Sequence, residues 1–416
     1  MPHKDNIYVG LDIGTTKICT VIVRKNSEGG IDIIGLGSAV SNGIRKGVVV
    51  NIDSTVKAIK ESIAMAERMS GITVKSVCAG IAGGHIESFN SRGIVAVKSG
   101  EVTQSDIDRV LESASAVNIP MGYEVLHIIP QQYIVDGQDE IKDPIGMSGV
   151  RLEVEVHIVT GAVSSATNIT KSCQKAGIGV DDIYLEQLAS SEAVLTDEER
   201  EIGVCLIDGG GGTTDMAVFN KGAVFHTAVL QIGGNNFTRD LTSGLSTSEP
   251  EAEKLKIKDG CVLMDLVGPE ETILVPSVGE RPPREISKSV MTQILQMRAE
   301  EICELFLGEM KKKKVFDMLG AGVVMTGGIS NFQGMEQLAS SILGLSVRVG
   351  RPVNVGGLSD QVNNPIYATA VGLAKLHAKG GNSQNIVSSN GDREDDGEGL
   401  FKKVSDRMKD WLKEFF

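Results

Sequence analysis

The chain has 416 residues, 41% hydrophobic and 23% charged, the balance of a globular protein long enough for about two or three cores rather than of a disordered or fibrous one. Its 54 acidic and 41 basic side chains give a formal net charge of −13, which argues against nucleic acid as a partner because most of the surface would repel a polyanion. No run of about 18 apolar residues offers a bilayer span, and the six scattered cysteines offer neither a zinc site nor a disulfide framework, so a reducing cytoplasm is expected.

The opening MPHKDNIYVG lacks the apolar stretch of a signal peptide. From Tyr8 to Val23, YVGLDIGTTKICTVIV predicts a β run ending at Asp12, a tight turn of Gly14, Thr15 and Thr16, then Lys17 and a second β run returning beside the first. A helix is expected from Ile52 to about Ser70, with Val56, Ile59, Ile63 and Ala66 on one face and Gly71 ending it. The strand SVCAGIAG follows.

Between about Gly84 and Val159 the pattern is that of a compact α/β unit. It has an extended stretch to Val97, a helix from Thr103 through Val117, and strands in EVLHIIPQQYIVD and RLEVEVHIVTG. A structureless loop of this length inside a globular chain would be unusual. His127 and His157 lie in those strands without a third ligand at suitable spacing, so they read as ordinary strand histidines rather than metal ligands.

Val204 to Phe219, VCLIDGGGGTTDMAVF, repeats the first motif: a β run, Asp208, a Gly/Thr turn, a β run. Gly14 and Gly209 to Gly212 are expected to allow positive φ and a close approach of backbone N–H groups to an anion. Thr15, Thr16, Thr213 and Thr214 add hydroxyls, and Lys17 adds charge. Asp12 and Asp208 would repel phosphate directly, but a divalent cation held through water reconciles them with a polyphosphate. One such motif alone could be a glycine-rich turn; the repetition points to a paired phosphate clamp.

Further along, Gly233 and Gly234 predict a tight turn before a helix carrying Phe237, Leu241 and Leu245 on one face. SEPEAEKLKIKDG predicts a second helix, capped by Ser248, with Pro250 just inside and Gly260 past its end. Residues 284–316 are expected to form one or two long helices, and Lys311 to Lys314 suit a solvated helix C-terminus better than a membrane contact. After about Lys379, GGNSQNIVSSNGDREDDGEG is too polar to repay the entropy of ordering and reads as a flexible tether. In the closing LFKKVSDRMKDWLKEFF, Leu400, Phe401, Val404, Met408, Trp411, Leu412 and Phe415 fall within an arc of about 120° on a helix. Lysines and Arg407 occupy much of the remainder. That suits an amphipathic helix lying in an anionic membrane interface, the alternative being a helix docked on the protein's own core.

Together with LEQLASSEAVL (185–195), VVMTGGIS (323–330) and NPIYATAVGLA (364–374), the two hairpins occur in the order found in the actin, sugar kinase and heat-shock chaperone superfamily, which the chain resembles. The α/β unit inserted before LEQLASSEAVL makes it resemble, within that superfamily, the FtsA family of bacterial cell division proteins. The resemblance implies an actin-like two-lobe ATPase fold, a duplicated ribonuclease-H-like core with an inserted subdomain and a C-terminal amphipathic helix. The expected organisation is a first lobe in 1–84 and 161–200, the insert in 85–160, and a second lobe in 201–354 with a smaller subdomain about 243–315. A closing helix follows in 355–378, then the linker in 379–399 and the membrane helix in 400–416.

The resemblance also implies ATP and Mg as cofactors, with Asp12 and Asp208 holding the metal through water. Gly14, Thr15, Thr16 and Lys17 would clamp phosphate from one side, and Gly210, Gly211, Gly212 and Thr213 from the other. Gly234, Asn235, Glu253, Lys256, Gly327 and Gly328 would border the nucleoside. Glu186 would orient the attacking water, with Asp208 beside it, in any slow hydrolysis. Implied partners are the C-terminal tail of the tubulin-like ring protein FtsZ, met near Arg298, other copies of the chain in filaments, further division proteins through the insert, and the cytoplasmic face of the cell membrane. A pilus-assembly scaffold of the PilM kind shares the fold and insert but gives no reason for the tether and terminal helix. A sugar kinase shares only the fold, and a chaperone would need a β-rich substrate domain after the ATPase.

Overall fold

A computed structural model of the protein describes residues 6–27, 29–279 and 281–380. The acidic tether beyond residue 380 and the amphipathic segment 400–416 lie outside the described residues.

Two sheets carry the same topology. In the first, Ile7–Ile13, Lys17–Lys25 and Ile31–Val40 run as an antiparallel meander, and Ser76–Ile81 and Gly179–Leu185 add in parallel on the other side of Ile7–Ile13. In the second, Val204–Gly209, Thr214–Asn220 and Ala223–Leu230 form the meander, and Val323–Thr326 and Val347–Val349 the parallel side. The chain therefore makes one sheet plan twice, each time placing a hairpin at its centre.

Two helices, Glu186–Val194 and Ala368–Gly380, lie between the sheets, and their Ala193, Val194, Ala370, Val371 and Ala374 share one buried cluster with Val21, Val23, Leu206 and Ala217. The closeness of this layer dictates small residues. A Cβ on Gly372 would lie 1.7 Å from the Ala189 carbonyl oxygen, and one on Gly10 would lie 2.3 Å from that of Ala370. The outer face of the first sheet is covered by the helix Ile52–Ser70, whose Asn51 caps its start by accepting from the Ser54 N–H and whose Gly71 ends it in the left-handed region at φ 70°. The second sheet is covered by Gly234–Gly244 and by Lys288–Lys312. The sequence expectation of helix from residue 284 onward is corrected here: Arg284–Ser287 is a strand paired with Thr272–Val275, and one helix of 25 residues begins only after Ser287, whose hydroxyl accepts from the Ser289 N–H.

The insert is a four-stranded sheet in the order Glu87–Ala96, Arg151–Ala162, Tyr123–Val135, Gln138–Ile141. Alternation divides its two faces. Val154, Val156 and Ile158 point to Val110 and Leu111 of the helix Gln104–Ser115, which Thr103 and Asp106 close with a reciprocal cap. The opposite face carries Ser88, Asn90, Gln131 and His157 and packs on Ala223–Leu230, the edge strand of the second lobe's sheet. Ser88 Oγ donates to the Thr227 carbonyl (3.0 Å) and Gln131 Nε2 to that of Val224 (2.9 Å). His157 bonds Asn90 Oδ1 at 2.7 Å and Thr227 Oγ1 at 3.0 Å. The seam hides an edge that would otherwise be open to pairing.

Burial, helped by the neighbouring His226 and Lys313, pushes the His157 pKa down to about 3. A histidine whose folded pKa lies below its unfolded value binds fewer protons when folded, so its contribution is present above about pH 6.5 and is lost as the pH falls toward 3. The seam is expected to lose about 2 kcal/mol between pH 7 and pH 5. Urea unfolding at the two pH values should show a smaller loss in His157→Asn than in the wild type.

Candidate nucleotide cleft

The repeated sheets bring their hairpins tip to tip. Asp12 pairs across its hairpin with Cys19, and Asp208 with Asp215. A Cβ on Gly211 would lie 2.4 Å from Thr16 Cγ2, and one on Gly212 would lie 2.5 Å from Thr15 Oγ1. Neither Gly14 nor Gly209 to Gly212 has a positive φ. The sequence expectation is corrected on this point: at Gly211 and Gly212 the absence of a side chain serves the contact between the tips, not a left-handed turn. The second tip is strapped to the start of the helix Gly234–Gly244, because the Gly234 and Asn235 N–H groups donate to the carbonyls of Gly210 (2.9 Å) and Gly211 (2.8 Å).

Beneath the tips lies a cleft of about 520 Å³. Its deep end holds the carboxylates of Asp12, Glu186, Asp208 and Asp215 around one ammonium, Lys17, whose Nζ lies 3.1 Å from Asp12 Oδ2. Burial works against the Lys17 cation, yet Asp12 and its neighbours carry its pKa above the usual lysine range. Burial raises Asp208 to about 6 despite hydrogen bonds from Ser190 and Thr369. Burial and then the Asp208 charge raise Asp215 to about 8. Burial and then the charges of Asp12, Asp215 and Asp208 raise Glu186 well above the carboxylate range. Four acids crowded around one base form a site short of positive charge.

One detail shows what that site fits. Asp215 is 3% exposed; its Oδ2 accepts from Thr213 Oγ1 at 3.0 Å, and its Oδ1 is buried with no protein partner. A hydrated cation would satisfy such an oxygen and relieve the raised pKa values. The carboxylates do not converge into a direct ligand set: among the described residues, no three His, Cys, Asp or Glu side chains form a group able to hold a bare ion. The donor set therefore fits a divalent cation held through water and phosphate rather than one caged by protein.

The other end of the cleft has apolar walls. Ile257, Gly260, Ile329, Phe332 and Ile366 line it, and Ile257 is 75% exposed. A Cβ on Gly260 would lie 2.2 Å from the Lys256 carbonyl oxygen and 2.8 Å from the Phe332 ring, so this glycine, at φ −64°, lets the helix end pack closely against that wall. Gly327, at φ 78°, begins the Gly327–Gly328 turn, and a Cβ there would lie 2.4 Å from Asp208 Oδ1. Lys256 Nζ is occupied locally, with Glu253 Oε2 at 2.6 Å, Thr238 Oγ1 at 2.9 Å and the Gly234 carbonyl at 3.1 Å.

Of the residues singled out from the sequence, both hairpin tips, Glu186, Gly234, Glu253, Lys256 and the Gly327–Gly328 turn line this one cleft. Asn235 does not; its backbone N–H is engaged at the second tip. Arg298 lies elsewhere in the second lobe, where Nε and Nη2 grip Asp240 at 2.7 and 3.1 Å and Nη1 meets Glu301. Sequence reasoning passed over Asp215 and Thr369, although an aspartate inside the apolar strand TDMAVFN was a readable signal, and Thr369 donates to Asp208 Oδ2 at 3.0 Å.

The sequence model of the family described as "Cell division protein FtsA" matches residues 205–372, and that of the "SHS2 domain inserted in FTSA" matches residues 83–160. The chain is 47% identical over 371 residues to the cell division protein FtsA of Pseudomonas aeruginosa, covering 89% of each. It is 38% identical over 414 residues to that of Escherichia coli K12, covering 98% of this chain and 96% of the relative. Among solved structures, the PilM–PilN type IV pilus biogenesis complex superposes with a TM-score of 0.65 at 15% identity, covering 89% of this chain and 98% of the other. MreB5 of Spiroplasma citri bound to ADP superposes at 0.55 and 14% identity, covering 92% and 100%. At these identities the structural likenesses show the actin-like fold.

Proposed function

Since the chain belongs to the FtsA family and is an actin-like cell division protein, we propose that its cleft holds ATP with Mg²⁺ and that the nucleotide sets the shape in which it assembles on the membrane. The observation that carries this reading is the tip-to-tip pair of hairpins above an acid-rich, cation-poor cleft. Backbone N–H groups and threonine hydroxyls of the tips, with Lys17, would hold the phosphates; Asp12, Asp208 and Asp215 would hold the metal through water. The Gly327–Gly328 turn, Ile257 and Phe332 would take the base, and Glu253 with Lys256 the ribose edge. Bound ATP would supply a transferable phosphoryl group, and the Mg²⁺ that accompanies it the positive charge that the four carboxylates lack. Glu186, at the head of a linking helix, would orient water and accept its proton once the metal's charge offsets the neighbouring carboxylates that raise its pKa.

Because the linking helices lie between the sheets, a ligand that grips both tips favours one inter-lobe angle. Filaments of that shape would present many copies of the segment 400–416 to the cytoplasmic face of the membrane. Each contact is weak, and together they bind by effective concentration. The function proposed is to tether the FtsZ ring there through its C-terminal tail, with the surface around Arg298 as the contact and the insert receiving other division proteins. A PilM-like scaffold role rests on fold likeness alone and is not favoured.

The test is calorimetric titration of ATP with and without Mg²⁺, followed by phosphate release. Tight binding that needs Mg²⁺ supports the reading. Glu186→Ala should keep ATP affinity within about threefold while lowering whatever hydrolysis the wild type shows by roughly 10²-fold. A collapse of affinity instead would place Glu186 in the binding scaffold.

A further inference from the structure

A two-residue turn connects the cleft to the insert. Ile44–Arg45 and Val48–Val49 form a short hairpin through Lys46 and Gly47, both at positive φ (49° and 76°). Its tip touches both hairpins, the entrance to the insert and Gln231 of the second lobe at close range. The Gly47 N–H donates to Thr15 Oγ1 of the first hairpin at 3.1 Å. A Cβ on Gly212 of the second hairpin would lie 2.9 Å from Lys46 Cα. A Cβ on Gly47 would lie 2.9 Å from the nitrogen of Gly83, at the entrance to the insert. Lys46 Nζ reaches Gln231 Oε1 of the second lobe at 3.4 Å, and Gln231 in turn fills the space beside Gly84, where a Cβ would lie 1.8 Å from Nε2.

Gln231 directly follows Ala223–Leu230, the strand on which the insert's Ser88 and His157 are seated. The insert is thus linked by chain to the first lobe, pinned to the second along the seam, and pinned again at its entrance. A change at the tips cannot leave it unmoved unless one of these contacts breaks.

We propose that the Lys46–Gly47 turn, with Gln231, couples occupancy of the cleft to the position of the insert. A ligand at the hairpin tips and a partner on the insert then change each other's affinity by the same factor. Thr15 Oγ1 is the sender, since the hydroxyl that would meet phosphate is the one that holds Gly47; Gly83 and Gly84 are the receiver. The inference rests on the nucleotide reading of the cleft, and its test separates the two.

The experiment is hydrogen exchange on the full chain with and without ATP-Mg, for the wild type, Lys46→Gly and Gln231→Ala, neither residue belonging to the binding machinery. In the wild type, ATP-Mg is expected to slow exchange about fivefold or more at residues 210–213 and at 83–90 together. In both variants the response at 210–213 should remain and the response at 83–90 should be lost. Gly84→Ala, which displaces the Gln231 side chain, should behave as Gln231→Ala does, and the double variant no worse than either. A response at the tips with none at 83–90 in the wild type overturns the coupling alone, as does an undiminished response in the variants. No response at the tips overturns the nucleotide reading and the coupling with it.

Discussion

Lys17→Ala is expected to weaken ATP-Mg binding by roughly 10²- to 10³-fold, the penalty for removing one partner of a desolvated charge pair. The size of the effect follows from the charge balance of the cleft. Four carboxylates and a triphosphate would have to share the space, and the only other cation among the described lining residues, Lys256, is held at the far end by Glu253. Without Lys17 the Asp12 carboxylate keeps its burial and loses its 3.1 Å partner. Titration calorimetry with ATP-Mg checks the affinity, and circular dichroism the fold. Affinity within about threefold of the wild type would mean that phosphate is held elsewhere.

The second large effect is expected where the lobes are joined. Gly372→Ala places a methyl 1.7 Å from the Ala189 carbonyl oxygen, between two buried helices. Backbone cannot yield as a flexible side chain can, so the substitution should destabilise by about 3 kcal/mol, at the upper end for overpacking. Gly308→Ala is the control. It sits on the exposed side of Lys288–Lys312, about one turn before its end, with nothing within 4 Å of its added Cβ, and should stabilise by about 0.5–1 kcal/mol. Urea unfolding midpoints of the two variants should move in opposite directions; equal shifts would show that the helix crossing is looser than the 1.7 Å approach implies.

The sequence made some features readable and concealed others for physical reasons. Strand, aspartate, glycine turn and strand is a local pattern, so both hairpins could be found, and the helix Ile52–Ser70 announced itself through the spacing of Val56, Ile59, Ile63 and Ala66 and through Gly71. The role of Gly211 was hidden because it depends on Thr16, nearly two hundred residues away, and no φ requirement marks it. The docking of the insert on Ala223–Leu230 was hidden too, since Ser88, Asn90, Gln131 and His157 have the polar alternation of a solvated strand face. The strand Arg284–Ser287 was absorbed into a helical pattern because four residues carry too little periodicity to overrule the 25-residue helix after them.

Nucleotide in the cleft and attachment to a membrane are, on the function proposed, parts of one assembly. Co-sedimentation with anionic liposomes, with and without ATP-Mg, for the full chain and for one ending at Lys379, addresses it most directly. Only the full chain is expected to pellet with lipid, and ATP-Mg is expected to increase the fraction bound. If both chains stay in the supernatant, or if ATP-Mg leaves binding by the full chain unchanged, nucleotide-linked assembly on the membrane is contradicted.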